Sequence, residues 1–515
     1  MKRIFLFLGR ALTLWVDALK NPRFTNMVVV SMLCLLVLMW LAPLMEAEAS
    51  TKNNGVVIVE IVFSRSIAED DILMIRKLGG KVIYIFNEIN GIAVAINVNK
   101  LDNLRNLDGV SNMDIAGIVE TLSEAIPSDC TLHHSRFSWN LDLVNIPTVH
   151  EYYKLDGSGV YIAVLDTGLE PQWRSYFPED RVVSEFGAAF LGAMATAYWV
   201  TGEVLNRNAW EADTNGHGMH VISTIIGFDV YGFYRVDGVA PGARIIPVKV
   251  LSNAGWGFST DVAAGIMYIA RLYVAEKESG GDVLPPKGIV NPIIISMSLG
   301  GARLTPLEKA AIDYAIQKGV FIVAAAGNRG ELGMDYPGAY EPVISVGAAG
   351  WIGEWSIPGW WWRADVPEGE DLKGQVYVAE FSGREKENQD LDVLAPGSWV
   401  VGPYTAYGAA HPPYWANGKP GQYYYLGGTS MATPHVSGIL ALVLQKDLED
   451  NGEIDLDQEK AESLLEESTY SIEWYDATVI DPFGRQIVLK WDSSAIGSGL
   501  IQADKAIENL GQFIN

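Results

Sequence analysis

The chain has 515 residues, 49% of them hydrophobic and 19% charged, which suits a large buried core and excludes a compositionally disordered protein. Its 37 Lys and Arg stand against 62 Asp and Glu, a formal charge of -25, and the basic residues are not clustered, so nucleic acid is excluded as a partner. Two cysteines, Cys34 and Cys130, exclude a disulfide framework.

The first predicted element is the most apolar run, residues 27–45. Lys2, Arg3, Arg10, Lys20 and Arg23 precede it, and Ala47 and Ala49 lie just beyond it with the small-x-small spacing of a cleavage site. Residues 1–49 therefore read as a signal peptide or a signal anchor, and either one exports the chain from residue 50 onward. The expected location is extracellular or at the cell surface, with membrane contact only through 27–45.

Residues 50–116 form a second unit. "GVVIVEIVF", "KVIYIF", "GIAVAINV" and "VSNMDIAGI" read as strands, "IAEDDILMIRKLGG" and "KLDNLRNLDG" as helices. The order β-α-β-β-α-β predicts a small ferredoxin-like α+β domain. From 117 to 138 the pattern lapses into polar and small residues, a linker open to proteolysis.

Beyond 138, short apolar strands such as "VYIAVLD", "RIIPVKVL", "PIIISMSLG" and "VFIVAAAGN" alternate with amphipathic helices. Uniformly apolar strands are buried on both faces, so residues 139–515 predict an α/β domain with a mainly parallel sheet. Its sites are expected at the carboxyl ends of the strands. Residues 351–380 interrupt the rhythm with Trp351, Trp355, Trp360, Trp361 and Trp362. They read as an insertion that packs its own rings, or as an exposed patch that binds something.

Three residues in this domain suit nucleophilic catalysis. Asp166 ends the strand "VLDTGLE", His217 stands between glycines in "DTNGHGMHV", and Ser430 opens a helix in "GGTSMATPHVSG". Each has a bland role: turn carboxylate, structural histidine, helix cap. Together they supply what acyl transfer needs. An imidazole takes the hydroxyl proton, and a carboxylate fixes the imidazole's tautomer.

"GHGMHV", "AAAGN" and "GTSMATPHVSG" resemble the motifs of the subtilisin-like serine proteases (subtilases, peptidase family S8), from about Trp139 to Ala506. The resemblance implies a subtilisin-like three-layer fold, with residues 50–116 as an inhibitory propeptide of the inhibitor-I9 type. It makes Asp166 the orienting acid, His217 the base, Ser430 the nucleophile and Asn328 an oxyanion donor. Substrate would pair with Ser298, Leu299 and Gly300 on one side and with Gly255, Trp256 and Gly257 on the other. The small residues between these walls leave room for a large apolar residue before the cut.

Met219 departs from the family, since a threonine normally comes after "HG". His220 and His435 read as structural, and His133, His134, His150 and His411 as surface or structural. Structural calcium is the cofactor the resemblance implies, with Asp229 and Asp237 as candidate ligands, and no zinc pattern occurs. The leading reading is thus an exported serine endopeptidase that cuts itself within 117–138 and acts on protein or peptide substrates. A catalytically silent binding module and a surface protein attached through the tryptophan segment are the alternatives.

Overall fold

Alternation along β1 (Val56–Phe63) sends Val57, Val59, Ile61 and Phe63 to one face, where they pack with Ile75 of α1 (Glu69–Lys77). β2 (Lys81–Phe86), β3 (Gly91–Asn97), α2 (Leu101–Arg105) and β4 (Val110–Ile115) complete an antiparallel sheet in the order β2-β3-β1-β4, with Ile92, Val94, Ile96 and Leu104 in the same core. This is the ferredoxin-like arrangement. The computed structural model describes residues 55–121, 124–126, 137–193, 207–230, 234–356, 366–404 and 423–514. The apolar run 27–45, both cysteines, His133, His134, His411 and Trp360 to Trp362 lie outside the described residues.

Two short strands come next, β5 (Ile118–Thr121) and β6 (Glu124–Ile126). The larger domain then builds a sheet from β7 (Tyr161–Asp166), β8 (Ala188–Ala189), β11 (Arg244–Lys249), β13 (Ile293–Met297), β15 (Phe321–Ala325), β16 (Ile344–Trp351), β18 (Val393–Pro396), β21 (Thr469–Tyr470) and β24 (Leu500–Ile501). Between them lie the hairpin β9 (Phe228–Val230) and β10 (Tyr234–Val236), β12 (Trp256–Phe258), β14 (Leu299–Gly300), β17 (Val376–Val378), β19 (Val400–Pro403), β20 (Tyr423–Gly427), β22 (Asp476–Ile480) and β23 (Gln486–Lys490). The main sheet runs β21-β24-β18-β16-β15-β13-β7-β11-β8, parallel except at β21, with β17 antiparallel to the end of β16.

β7, β13 and β15 are buried at every position, which is why their sequences are uninterrupted apolar runs. Helices cover both faces. α3 (His217–Ile226) and α6 (Thr429–Asn451) share one core with the sheet, and α4 (Ser259–Glu278) and α5 (Pro306–Lys318) share the other. The result is three layers. α7 (Gln458–Glu467) comes after α6 and precedes β21.

Part of the stretch expected to be linker is strand. β5 lies antiparallel between β12 and β14, and β6 pairs with β20, so the larger domain's edges supply the hydrogen-bonding partners that the polar local sequence gave no sign of. The small unit also docks on the larger one. Glu60, on the face of β1 opposite its own core, accepts hydrogen bonds from Ser259 Oγ (2.7 Å), Thr260 Oγ1 (2.9 Å) and Leu307 N (3.2 Å), so one carboxylate meets the first turns of α4 and α5. Arg271 grips Glu88 with two bonds of 2.7 and 2.8 Å, and Arg303 pairs with Asp114.

The tryptophans among the described residues of the 351–380 segment pack inward. Trp351 is a buried end of β16, and Trp355 meets Tyr425 and Trp399 edge-on at 5.0 and 6.0 Å between ring centroids.

Candidate active site

The carboxyl end of β7 and the start of α3 come within hydrogen-bonding distance because glycines line the approach. A Cβ on Gly218 would lie 2.4 Å from the carbonyl oxygen of Gly168, so a side chain there would push the helix off the turn just after Asp166. The Nδ1–H of His217 lies 2.8 Å from Oδ1 and 2.9 Å from Oδ2 of Asp166, and both side chains are buried. The Thr167 amide adds a bond to Asp166 Oδ1 at 2.6 Å. On the far side of the ring, Nε2 is buried without a hydrogen-bond partner among the described residues. A buried orphan acceptor is costly and marks an atom kept for another use.

Ser430 is the second residue of α6, which packs on α3. Its Oγ donates to the Ser298 carbonyl oxygen at 3.0 Å, while Ser298 Oγ donates to the Ser430 carbonyl at 2.8 Å. The serine is thereby locked to the strand that precedes β14. Asn328, just past β15, has its Oδ1 held by Thr429 N (3.0 Å) and Thr429 Oγ1 (2.9 Å), which leaves the amide nitrogen as the end of the side chain free to donate elsewhere.

The expected substrate walls are the two strands that flank β5. Leu299 and Gly300 pair with Thr121 and Glu120, and Trp256 and Gly257 pair with Glu120 and Val119. Gly255 makes the positive-φ turn that leads into β12. Trp256 packs beside Ile58, Ala95 and Ala116 of the small unit, so its ring serves the contact between the two units.

Met219 is fully buried in the core beneath the sheet, with its thioether among apolar side chains, and takes no part in the Asp166–His217 contact. His220 and His435 are buried, and burial pushes their imidazoles down to about 3 and about 4. His435 is tied to Asn140 at 2.8 Å and His150 to the Val239 carbonyl at 2.9 Å. All three are structural.

Sequence reading missed a second pair behind the first. Asp213 accepts from Thr167 Oγ1 (2.8 Å), Asn215 N (2.8 Å) and Gly216 N (3.0 Å), and Thr167 Oγ1 accepts from Gly218 N (3.0 Å). Lys249 Nζ lies 4.0 Å from Asp213 and bonds the Thr167 carbonyl. Burial pushes the Asp213 carboxyl up and the Lys249 ammonium down, while each one's charge opposes the shift in its partner. The pair fixes the turns that carry Asp166 and His217. "DTNGHG" held a signal, since an aspartate two residues before a glycine-flanked turn caps its amides.

Neither calcium candidate gathers ligands among the described residues. Asp229 pairs with Arg235 at 3.7 Å and Asp237 faces His150 at 3.9 Å. Asp390, Asp392 and Glu462 instead bring carboxylate oxygens within 4.8 Å of one another, where the middle of α7 meets the approach to β18. Burial raises the Asp392 carboxyl to about 8, and burial with neighbouring charge raises Glu462 to about 9.

A helix that opens on a serine, an acid–imidazole pair and an α/β sheet with both at its carboxyl end are features of a serine hydrolase. The model described as the subtilase family, Peptidase S8, matches residues 157–484. The chain belongs to this family and is a serine endopeptidase. It is 29% identical over 362 residues to the thermostable alkaline protease of Halalkalibacterium halodurans, covering 70% of this chain and 74% of that protein. It is 27% identical over 379 residues to subtilisin E of Bacillus subtilis, covering 72% and 75%. Fervidolysin from Fervidobacterium pennivorans, described as a keratinolytic enzyme related to subtilisin, shares the fold with a TM-score of 0.59 at 21% identity. That match covers 88% of this chain, which spans 61% of the fervidolysin chain.

Proposed function

We propose that the protein is an exported, self-processing endopeptidase whose triad is Asp166, His217 and Ser430. The observation that carries this reading is the Asp166–His217 pair with its orphaned Nε2, on a helix that packs against the one whose start holds Ser430. In the proposed reaction Ser430 Oγ attacks the peptide carbonyl carbon while its proton passes to His217 Nε2. The Asn328 amide and the Ser430 backbone N–H bind the oxyanion. His217 then gives the proton to the departing amine, leaving an acyl-enzyme, and water repeats the sequence to release the acid. Asp166 keeps Nε2 unprotonated at the start and stabilises the imidazolium between steps. Labelling of Ser430 by a serine-directed phosphonate tests the assignment.

The segment around β5 and β6 is, in this reading, the enzyme's first substrate. β5 lies between the two walls as a bound peptide would, and Val119 is buried against the larger domain. Leu299 pairs with Thr121 and Gly300 with Glu120. β5 ends at Thr121 between the two walls and β6 begins at Glu124 on β20, so we assign the cut to the Leu122–Ser123 bond that joins them. Leucine before the cut agrees with a pocket for large apolar side chains. Export is supported by the basic residues that precede the apolar run 27–45. No finding favours the binding-module alternative.

After the cut, residues up to 122 would remain as an inhibitor. Glu308 of α5 stands beside Glu60 at this contact, and burial first, then the charge of Glu60, pushes its carboxyl up to about 8. Its Oε1 is buried without a hydrogen-bond partner among the described residues, and burial also raises the Glu60 carboxyl, against the three hydrogen bonds that it accepts. Around the pair stand Arg303 with Asp114, and Tyr84 with Asp261 at 2.9 Å. Dissociation returns Glu308 to solvent and to the usual range near 4.3. The raised value belongs to the complex, so its stabilising effect is full below the free range and is lost as pH rises toward 8. Inhibition by the isolated 55–122 segment is expected to weaken by up to about tenfold per pH unit across that window and then level off. Glu308→Gln should flatten the slope; an unchanged slope assigns it elsewhere.

The Asp390–Asp392–Glu462 group fits the structural calcium that the family implies. Three carboxylates offer hard oxygen ligands, and Asp392 Oδ1 is buried without a hydrogen-bond partner among the described residues, while Oδ2 accepts from Ser345 N at 2.6 Å. A bound dication would offset their repulsion and tie α7 to the sheet. Calcium at a hundredfold excess over Kd would add about 2.7 kcal/mol. Removing it with a chelator is therefore expected to lower Tm, and Asp392→Asn should abolish that sensitivity; a chelator-independent Tm rejects the site.

A further inference from the structure

The 351–380 segment buries a carboxylic acid with no cation beside it. Glu354, in the turn after β16, is 2% exposed, and among the described residues no Lys, Arg or His bonds or pairs with it. Its Oε1 accepts from Trp351 N at 3.0 Å. Its Oε2 lies 2.7 Å from the Tyr377 hydroxyl of β17 and 3.0 Å from Ser398 Oγ, and those two hydroxyls lie 2.5 Å from each other. Burial pushes the Glu354 carboxyl up to about 8 against these bonds, and burial with the Glu354 charge pushes the Tyr377 hydroxyl well up. Three oxygens in a triangle need three protons for three bonds, and hydroxyl hydrogens rotate to suit. The neutral acid supplies the third: Glu354 donates to Ser398, Ser398 to Tyr377, and Tyr377 back to Glu354. Ionised, the carboxylate draws both remaining protons to itself and leaves none between Ser398 and Tyr377.

The triangle adjoins the turn that opens α6. Ser398 follows Gly397, whose carbonyl accepts from Gly428 N at 2.8 Å, and a Cβ on Gly397 would lie 2.8 Å from the Gly428 carbonyl oxygen. The two backbones therefore touch. Gly428 is the cap position of α6, two residues before Ser430, and its carbonyl accepts from Met431 N at 3.0 Å. On the other side of Ser398, Trp399 holds a φ of 49°, an uncommon conformation for a bulky side chain. A turn of that shape persists only where its surroundings hold it. Trp355 stacks edge-on against the Trp399 ring, and the Gly397 and Ser398 amides both donate to the Ala349 carbonyl, at 2.9 and 3.2 Å. The Ser398 hydroxyl is the turn's tie to Glu354 and Tyr377.

We propose that Glu354, Tyr377 and Ser398 form a neutral hydrogen-bonded ring that positions the turn carrying Ser430, and that ionisation of Glu354 slows turnover in alkaline solution. Glu354 touches neither substrate nor the reacting atoms and acts as a positioning residue through Ser398, Gly397 and Gly428. This rests on the serine-protease reading above. The effect falls on kcat, because the walls at Leu299–Gly300 and Trp256–Gly257 belong to other strands and keep substrate binding as it is.

The test measures kcat and KM at pH 7 and pH 9 on a peptide p-nitroanilide with leucine before the cut, using self-processed protein and counting active serines with a serine-directed phosphonate. Wild-type kcat is expected to fall by about tenfold between the two, as the protonated fraction does one unit either side of such a midpoint, with KM little changed. Glu354→Gln cannot ionise and still offers two N–H donors to Ser398 and Tyr377, so its ratio of rates should lie near one. Ser398→Ala cuts the tie to Gly397, and its kcat should be low and equal at both pH values. A wild-type ratio near one, a Glu354→Gln protein that keeps the wild-type fall, or a Ser398→Ala protein with wild-type kcat at pH 7 would each overturn the ring and leave the triad standing. Should Glu354→Gln fail to fold, Ser398→Ala decides alone. Wild type inert at both pH values and unlabelled by the phosphonate would overturn the triad reading, and the positioning role with it.

Discussion

Full-length protein carrying Ser430→Ala is expected to remain uncut, whereas wild type separates into a segment ending at Leu122 and a mature domain beginning at Ser123. Hydrolysis of any peptide should fall by roughly 10⁶-fold in kcat, a magnitude established for the nucleophile of subtilisin itself rather than derived from this chain. The size reflects the roles. Asn328 and the binding walls survive the substitution, but the carbonyl has no attacking oxygen. The variant also keeps its fold, because a side chain at the second position of α6 is not the helix cap and Ser298 retains its carbonyl partner. Intact mass of both products decides the matter. A Ser430→Ala chain cut at the same bond would show that another protease matures it. A wild-type chain cut elsewhere in 117–138 would reject the assignment of the cut to Leu122–Ser123.

Asp166→Asn is expected to lower kcat by about 10⁴-fold with KM little changed. Asp166 accepts from both His217 Nδ1 and Thr167 N, at 2.8 and 2.6 Å on the same oxygen. An asparagine must still take the Thr167 amide with its oxygen, which turns its NH₂ toward Nδ1. That ring atom then becomes an acceptor, the proton moves to Nε2, and the base can no longer receive the Ser430 hydroxyl. Phosphonate labelling should slow in parallel, since it depends on the same proton transfer. A kcat within tenfold of wild type would remove Asp166 from the mechanism.

Much of this architecture is legible in the sequence because the physics that fixes it is local. β7, β13 and β15 read as continuous apolar runs since both faces are covered, and β1 is nearly as apolar since its second face docks on the larger domain, with Glu60 as the exception. Asp166, His217 and Ser430 stand out because each ends or opens an element beside glycines. Other features carry no local signal. "IVET" and "EAI" lack strand patterning, as their partners β12, β14 and β20 lie more than a hundred residues away. Lys249 reads as the polar end of a strand until Asp213 and Thr167 are brought to it from two other segments. Asp229 and Asp237 are acidic and near each other in sequence, yet an arginine and a histidine face them, while Asp392 and Glu462 meet across seventy positions.

The sequence by itself determined the layers, the family and the three candidate side chains, because periodicity and glycine placement act over a few residues. The tertiary structure decided which nitrogen of His217 meets Asp166, which strands of the larger domain take up β5 and β6, and which three carboxylates lie together. Each of these is a distance between segments, and burial sets its energetic weight by removing the water that would otherwise compete.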